Sequence, residues 1–395
     1  MRNFGTLYRY ELEKIIRKKL FWITFFLCTI GIIFSVLSGL LGTYYVDGEA
    51  VDTHYNLFLA DRDYLHKLSG RTIDQKLLEE MSEAYGHVPS AEGHYTLSDE
   101  YQTYARPYSA VFNLVRLWTS MDAASVMNWE PDEQFLYESR RNKLQDRWQY
   151  KVLSEQEKDF LREKEEQLNI PFTYSYHEGY RRLLDLLLTV GVFMHLFVAI
   201  CLSGVFPQEH TRKTDQLILC SVNGRKAVYW AKISAGSSLA AVCTIFFTIL
   251  TFGLSLGIYG FEGFFAPIQL YFFSFSYLTM GQACLIAYGI LIITSLLASI
   301  FVMVLSWLLH SSIASLAVSA GFIILGMIVN LPEEYLILSQ IWDYLPMSFL
   351  AAWNIFDFRL ITIGRHCFTS WQIVPLIYVL CSFTVAVNGK RRWVR

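Results

Sequence analysis

Residues 183–206 read LLDLLLTVGVFMHLFVAICLSGVF, and residues 207–232 continue as PQEHTRKTDQLILCSVNGRKAVYWAK. A helix rises about 1.5 Å per residue, so about 20 apolar residues cross a hydrocarbon core about 30 Å thick. The first stretch has that length. Its one acidic residue, Asp185, lies at the end of the run, where water is within reach. The second stretch is short and basic, with Arg212, Lys213, Arg225 and Lys226, and with Lys232 at the edge of the next apolar run. The pair reads as a membrane helix that emerges into a compartment where positive charge collects.

Five more runs have the same character: residues 20–42, 233–259, 283–309, 313–331 and 371–387. Residues 264–280, FFAPIQLYFFSFSYLTM, are apolar too, but Pro267 and the short length point to an interfacial or re-entrant segment. Composition agrees. Of 395 residues 53% are hydrophobic and 17% charged, against about 25% charged in soluble domains. A single soluble enzyme and a basic nucleic-acid binder are both poor fits. The expected fold is an all-α polytopic membrane protein of six spans.

Lysine and arginine orient it. Arg2, Arg9, Lys14, Arg17, Lys18 and Lys19 precede the first span, and Lys390, Arg391, Arg392 and Arg395 follow the last. Six spans place these clusters and the 207–232 loop on one face, the cytoplasm; a seventh would move the tail, 388–395, outside. The first run is too long for a signal peptide and no cleavage site follows it, so it is expected to remain as an anchor.

Residues 43–182 form a polar insertion between the first two spans, with 16 basic and 25 acidic residues. Its net charge of −9 contrasts with +7 for the remainder. It reads as mainly helical and extracytoplasmic. Thr72-x-x-Gln75 and Ser154-x-x-Glu157 have capping-box spacing, Gly86 and Pro171 are stop signals, and Glu133 to Tyr150 lacks both Gly and Pro. None of the seven cysteines lies in it, so disulfides cannot hold it together. That fits a bacterial cell surface without a disulfide-forming compartment.

No G-x-x-x-x-G-K-[ST], H-E-x-x-H or G-x-G-x-x-G occurs, so nucleotide hydrolysis and metalloprotease chemistry lose their main support. The His87, Glu92 and His94 of HVPSAEGH are weak metal ligands as a set, and no metal site is expected. His195 is the one ionisable residue near the middle of a span. It is expected to be neutral and to face protein or a substrate path. The small residues of SAGSSLA, 234–240, suit close helix packing.

The 207–232 loop carries a resemblance. An acidic residue after the second span, an apolar stretch, a small turn with Arg, and Lys at the start of the third span resemble the type-2 permeases of ABC exporters. The matching positions are Glu209, Leu217, Arg225 and Lys232. A basic amphipathic segment before the first span, TLYRYELEKIIRKKLFW, agrees with that layout. Leu7, Leu12, Ile15 and Ile16 share one face, and Arg9, Glu13, Arg17 and Lys18 stay polar. So does the loop 332–370 before the last span, with WDYLPMSFLAAWNIF as its apolar centre.

The resemblance implies a bacterial plasma-membrane protein with both termini inside. Its 207–232 loop would be a coupling helix resting on a separate ATPase subunit, with Leu12, Ile15, Ile16 and Arg17 in a cytoplasmic interface helix. It also implies two ATPase copies, which hold ATP and Mg, and a second permease, identical or homologous. No cofactor and no catalysis belong to this chain. Two departures stand out. Family members often carry Gly shortly after the acidic residue, where this chain has HTRKTDQ, and many join the first two spans by a short loop. Relatives with a large domain there export sodium or peptide antibiotics. The outer excess of acid would suit a cationic peptide. Two rival readings are a membrane sensor that captures a ligand outside and binds a kinase inside, and an intramembrane enzyme using His195 with Asp185 or Glu209. Helix rise opposes the enzyme, placing those carboxylates about 15 and 21 Å from His195.

Overall fold

A computed structural model of the chain describes residues 4–46, 49–89, 95–150, 153–214, 220, 226–356 and 358–394. It is mainly helical. Among the described residues, five helices are long and apolar enough to cross a membrane: Lys19–Leu37, Glu178–Thr211, Ala227–Tyr259, Met280–Leu309 and Ser370–Trp393. An amphipathic helix, α1 (Phe4–Ile16), precedes α2 (Lys19–Leu37). The second of the five divides into α9 (Glu178–Leu202) and a short α10 (Pro207–Thr211). Next come α11 (Ala227–Tyr259), α12 (Met280–Leu309) and the shorter apolar α13 (Ser312–Ile328). Two short helices of the 332–370 segment, α14 (Leu336–Asp343) and α15 (Ala352–Ile355), lead to α16 (Ser370–Val394).

α9 is the hub, packed against α2, α11, α12 and α13. α2 turns Phe21, Thr24, Cys28, Ile32 and Val36 inward at helical spacing. Its other face leaves Trp22, Phe26, Leu27, Ile30 and Phe34 exposed. A helix apolar on every side belongs in lipid, which solvates the outward residues. At the end nearer the insertion, α11 stops at Gly260, whose φ of +110° suits glycine. A Cβ on Gly179 would lie 2.2 Å from the Gly260 carbonyl oxygen, so small residues let the two helix ends touch.

Residues 264–280 form no membrane helix. They hold one 3-10 turn, Ile268–Leu270, and a bridge from Pro267 to Thr279. The SAGSSLA segment packs closely against α12: Ser237 and Ser299 hydroxyls are 3.2 Å apart, and Thr244 donates to Ser295 at 2.9 Å. The loop before α16 dips between helices, and Leu350 packs onto Gly191, where a Cβ would meet its Cδ1 at 2.6 Å. Gly191 is the fourteenth residue of α9, about 20 Å from its N-terminal end.

The insertion contains α3 (His54–Leu68), α4 (Gln75–Gly86), α5 (Ser109–Thr119), α6 (Ala123–Met127), α7 (Glu133–Tyr150) and α8 (Glu155–Glu166). Its core is aromatic: Tyr85 stacks on Phe112 at 3.9 Å, and Trp118 packs on Tyr137 and Phe172. The Ser154–Glu157 capping box forms as expected, and α8 ends at Glu166, ahead of Pro171. The Thr72 box does not form. Asp74 caps α4 instead, accepting from the Leu77 amide at 3.0 Å, while Thr72 bridges to Thr173. Purely α is also too strict a description. Two small antiparallel hairpins are present, β1 (Thr43–Val46) with β2 (Glu49–Thr53), and β3 (Leu360–Ile363) with β4 (His366–Thr369).

Candidate functional site

Lys232 lies in the second turn of α11 and is almost completely buried, at 1% exposure. A lone ammonium there would cost several kcal/mol, so the chain surrounds it with acceptors. Its Nζ donates to Glu209 Oε1 at 2.7 Å, to Glu11 Oε2 at 2.9 Å and to the Val205 carbonyl at 3.4 Å. The Phe206 ring covers it at 5.6 Å. Lys14 Nζ reaches the same two carboxylates, at 2.9 Å to Glu11 Oε1 and 3.0 Å to Glu209 Oε1. Two lysines and two glutamates thus form a closed, charge-balanced cluster.

Three chain segments meet in it. Glu209 comes from α10, whose first residue is Pro207, where a missing N–H costs nothing. Glu11 and Lys14 are three residues apart on α1 and so share one face. Tyr8 adds a contact between α1 and α11, with its hydroxyl 2.7 Å from that of Ser238. One carboxylate oxygen, Glu209 Oε2, is buried without a hydrogen bond.

The charge environment is legible in the two partly exposed lysines. Burial alone would lower Lys14, but the carboxylates of Glu11 and Glu209 more than offset it and hold it above the usual lysine value. Lys18 lies one turn further on and gains less from those carboxylates. Burial and the neighbouring Lys232 charge lower it.

Of the four residues matched to the coupling pattern, the structure brings Glu209 and Lys232 into direct contact. Leu217 and Arg225 lie outside the described residues. In the interface helix Ile15 is buried, and Leu12 and Ile16 are half-buried against the core. Arg17 faces away, 3.2 Å from the exposed Glu13. Glu11 and Lys14 were not foreseen as part of the site. The E-x-x-K spacing in YELEK is the available signal, but a helical wheel does not show what covers Glu11.

His195 stands apart. It is buried, with Nδ1 2.7 Å from the Gly191 carbonyl oxygen. Neither Asp185 nor Glu209 bonds it; Asp185 accepts from the Tyr271 hydroxyl. Of the HVPSAEGH loop, His87 packs against Tyr104, and Glu92 and His94 lie outside the described residues. No family model, curated protein or solved structure matches the chain.

Proposed function

We propose that the chain is the membrane permease subunit of an ABC-2 type exporter, driven by ATP hydrolysis in a separate subunit. The observation that carries the reading is the Glu11–Lys14–Glu209–Lys232 cluster, which ties the N-terminal helix, the end of the second span and the start of the third into one unit. That unit sits at the base of the 207–232 loop, where a docked ATPase would push. Removing one member of a buried ion network costs about 3–5 kcal/mol, so displacement of the loop would carry α1, α9 and α11 together rather than pull them apart. Two transmembrane arrangements would then exchange populations as the ATPase pair closes and opens.

In this reading there are six spans. α13 supplies the fifth; its 17 residues cover about 25 Å, and the dipping outer loop fills in beside it. The insertion lies outside, and both termini and the basic loop lie in the bacterial cytoplasm. Two ATPase copies and a second permease complete the assembly, with ATP and Mg held by the ATPase.

The test is co-purification with a P-loop ATPase, followed by ATP hydrolysis and transport assays of Glu209→Ala and Arg225→Ala. Both variants are expected to lose transport while the ATPase stays intact. Normal coupling in both overturns the placement of the docking loop. The sensor reading draws on one feature, a cavity of about 760 Å³ beneath the insertion lined by Phe58, Asp61, Arg62, Tyr176, Arg181 and Tyr271 among others. Recovery of a kinase instead of an ATPase favours it.

A further inference from the structure

A second cavity, of about 280 Å³, lies within the bundle between α9, α12, α13 and the dipping loop. Leu297, Ala298, Phe301, Phe322, Ile323 and Met347 make most of its wall, which is apolar. Two of its lining residues are polar, His195 and Ser319, and both are more than nine-tenths buried, at 5% and 6% exposure. Each has a polar atom with no hydrogen-bond partner in the protein, His195 Nε2 and Ser319 Oγ.

Their hydrogen-bonding capacities are defined. The Gly191 carbonyl can only accept, so His195 Nδ1 carries the proton and Nε2 of the neutral ring presents a lone pair. The Thr294 backbone borders the ring as a second acceptor, beyond ordinary hydrogen-bond geometry from Nε2. Like Thr248 and Ser255, Ser319 has a buried hydroxyl with no hydrogen-bond partner among the described residues. Ser299, Ser306 and Thr251 each donate to a carbonyl three or four residues back in their own helix. Ser319 does not, so its hydroxyl is free to donate or accept. In an apolar wall such unmet groups are costly, and a ligand that satisfies both gains selectivity over one that cannot.

A hydroxyl group is the smallest unit that answers both atoms, donating to the imidazole and accepting from the serine. The cavity volume holds about nine or ten groups the size of a water molecule or methylene, at ~30 Å³ each. We propose that this cavity binds the hydroxyl and about the first eight carbons of an apolar alcohol such as decanol, the hydroxyl bridging His195 Nε2 and Ser319 Oγ and the chain running along α12 and α13 and out past Phe322. Phe322 is 57% exposed, which opens that side of the cavity to the surface that would face lipid. The inference does not depend on the exporter reading.

The experiment uses the full-length protein in lipid nanodiscs with a diazirine-bearing decanol, and maps the photoadducts by mass spectrometry. Adducts are expected at 297–302 and 322–326. 1-Decanol should compete about tenfold better than 1-methoxynonane, which can accept but not donate, and better still than decane. Ser319→Ala, a change small enough to keep the fold, should weaken alcohol and ether alike against decane, and His195→Phe should remove the lead of alcohol over ether. Ala298→Trp should fill the cavity and abolish the labelling, with thermal melting confirming that each variant is folded. Equal competition by alcohol, ether and alkane in the wild type overturns the proposal. So does a lead of alcohol over ether that survives His195→Phe, or labelling spread evenly to lipid-facing residues such as Phe26 and Leu27.

Discussion

Two buried charge clusters hold peripheral parts of this molecule to its membrane helices, and they are built differently. The outer one is centred on Arg140 of α7, at 2% exposure. Its guanidinium donates to Glu165 of α8 and, at 3.0 Å, to the Ser274 carbonyl of the loop between α11 and α12. The rings of Trp118, Phe172 and Phe273 enclose it at 5.4–5.8 Å. The inner one is the Glu11–Lys14–Glu209–Lys232 cluster. A planar guanidinium with fixed donors and stacked rings suits one geometry. An ammonium is a point charge on a flexible stem, and here each ammonium shares both carboxylates. The Arg140 cluster is thus built as a lock for the insertion, and the Lys232 cluster as a joint, whose point charges tolerate small displacements of their partners.

The largest effect should come from emptying the joint's centre. Lys232→Met leaves two carboxylates buried together, and is expected to cost about 3–5 kcal/mol, read as a lowered melting temperature and loss of protein from the membrane. Lys232→Arg keeps the charge and should recover part of the stability. At the outer cluster the order reverses in character. Arg140→Met should destabilise the insertion by about 3 kcal/mol, and Arg140→Lys should still cost about 1–2 kcal/mol, because the fork and the ring contacts are lost. Limited proteolysis of the insertion checks both. If Arg140→Lys proves as stable as wild type, the contrast between lock and joint fails.

Lys14 gives a smaller and pH-dependent effect. Its ammonium side chain is 37% exposed, so screening limits its contribution to about 1 kcal/mol. Its folded pKa is raised above the ordinary 10.5. The stabilisation is therefore complete below that pH and is lost as pH rises through the folded value. Melting curves of wild type and Lys14→Met should differ by a constant amount below pH 10.5 and converge above it. The smallest change is expected at Arg17→Ala, within about 0.5 kcal/mol, since that side chain is exposed and meets only Glu13.

The apolar helices could be read from sequence because lipid imposes composition along their whole length. The joint was half legible. Glu209 and Lys232 stood out as charges at span boundaries, but Glu11 is covered only once α1 crosses α11, a contact made by residues far apart in the chain. The amphipathic pattern marked Leu12, Ile15 and Ile16 and passed over the more useful glutamate beside them. The hairpins β1–β2 and β3–β4 escaped because strands of four or five residues carry too few alternations to register. At the start of α4, Thr72 and Asp74 compete for the cap. The one whose oxygen reaches the third amide of the helix wins, which spacing alone did not decide.

The most direct test places a photo-crosslinking residue at Arg212, exposed just beyond the joint, and irradiates native membranes. A crosslink to a P-loop ATPase at this position, absent when the same residue replaces Arg116 in the insertion, is the predicted result. A crosslink formed only from the outer face of the membrane, or to a kinase with no ATPase recovered, contradicts it.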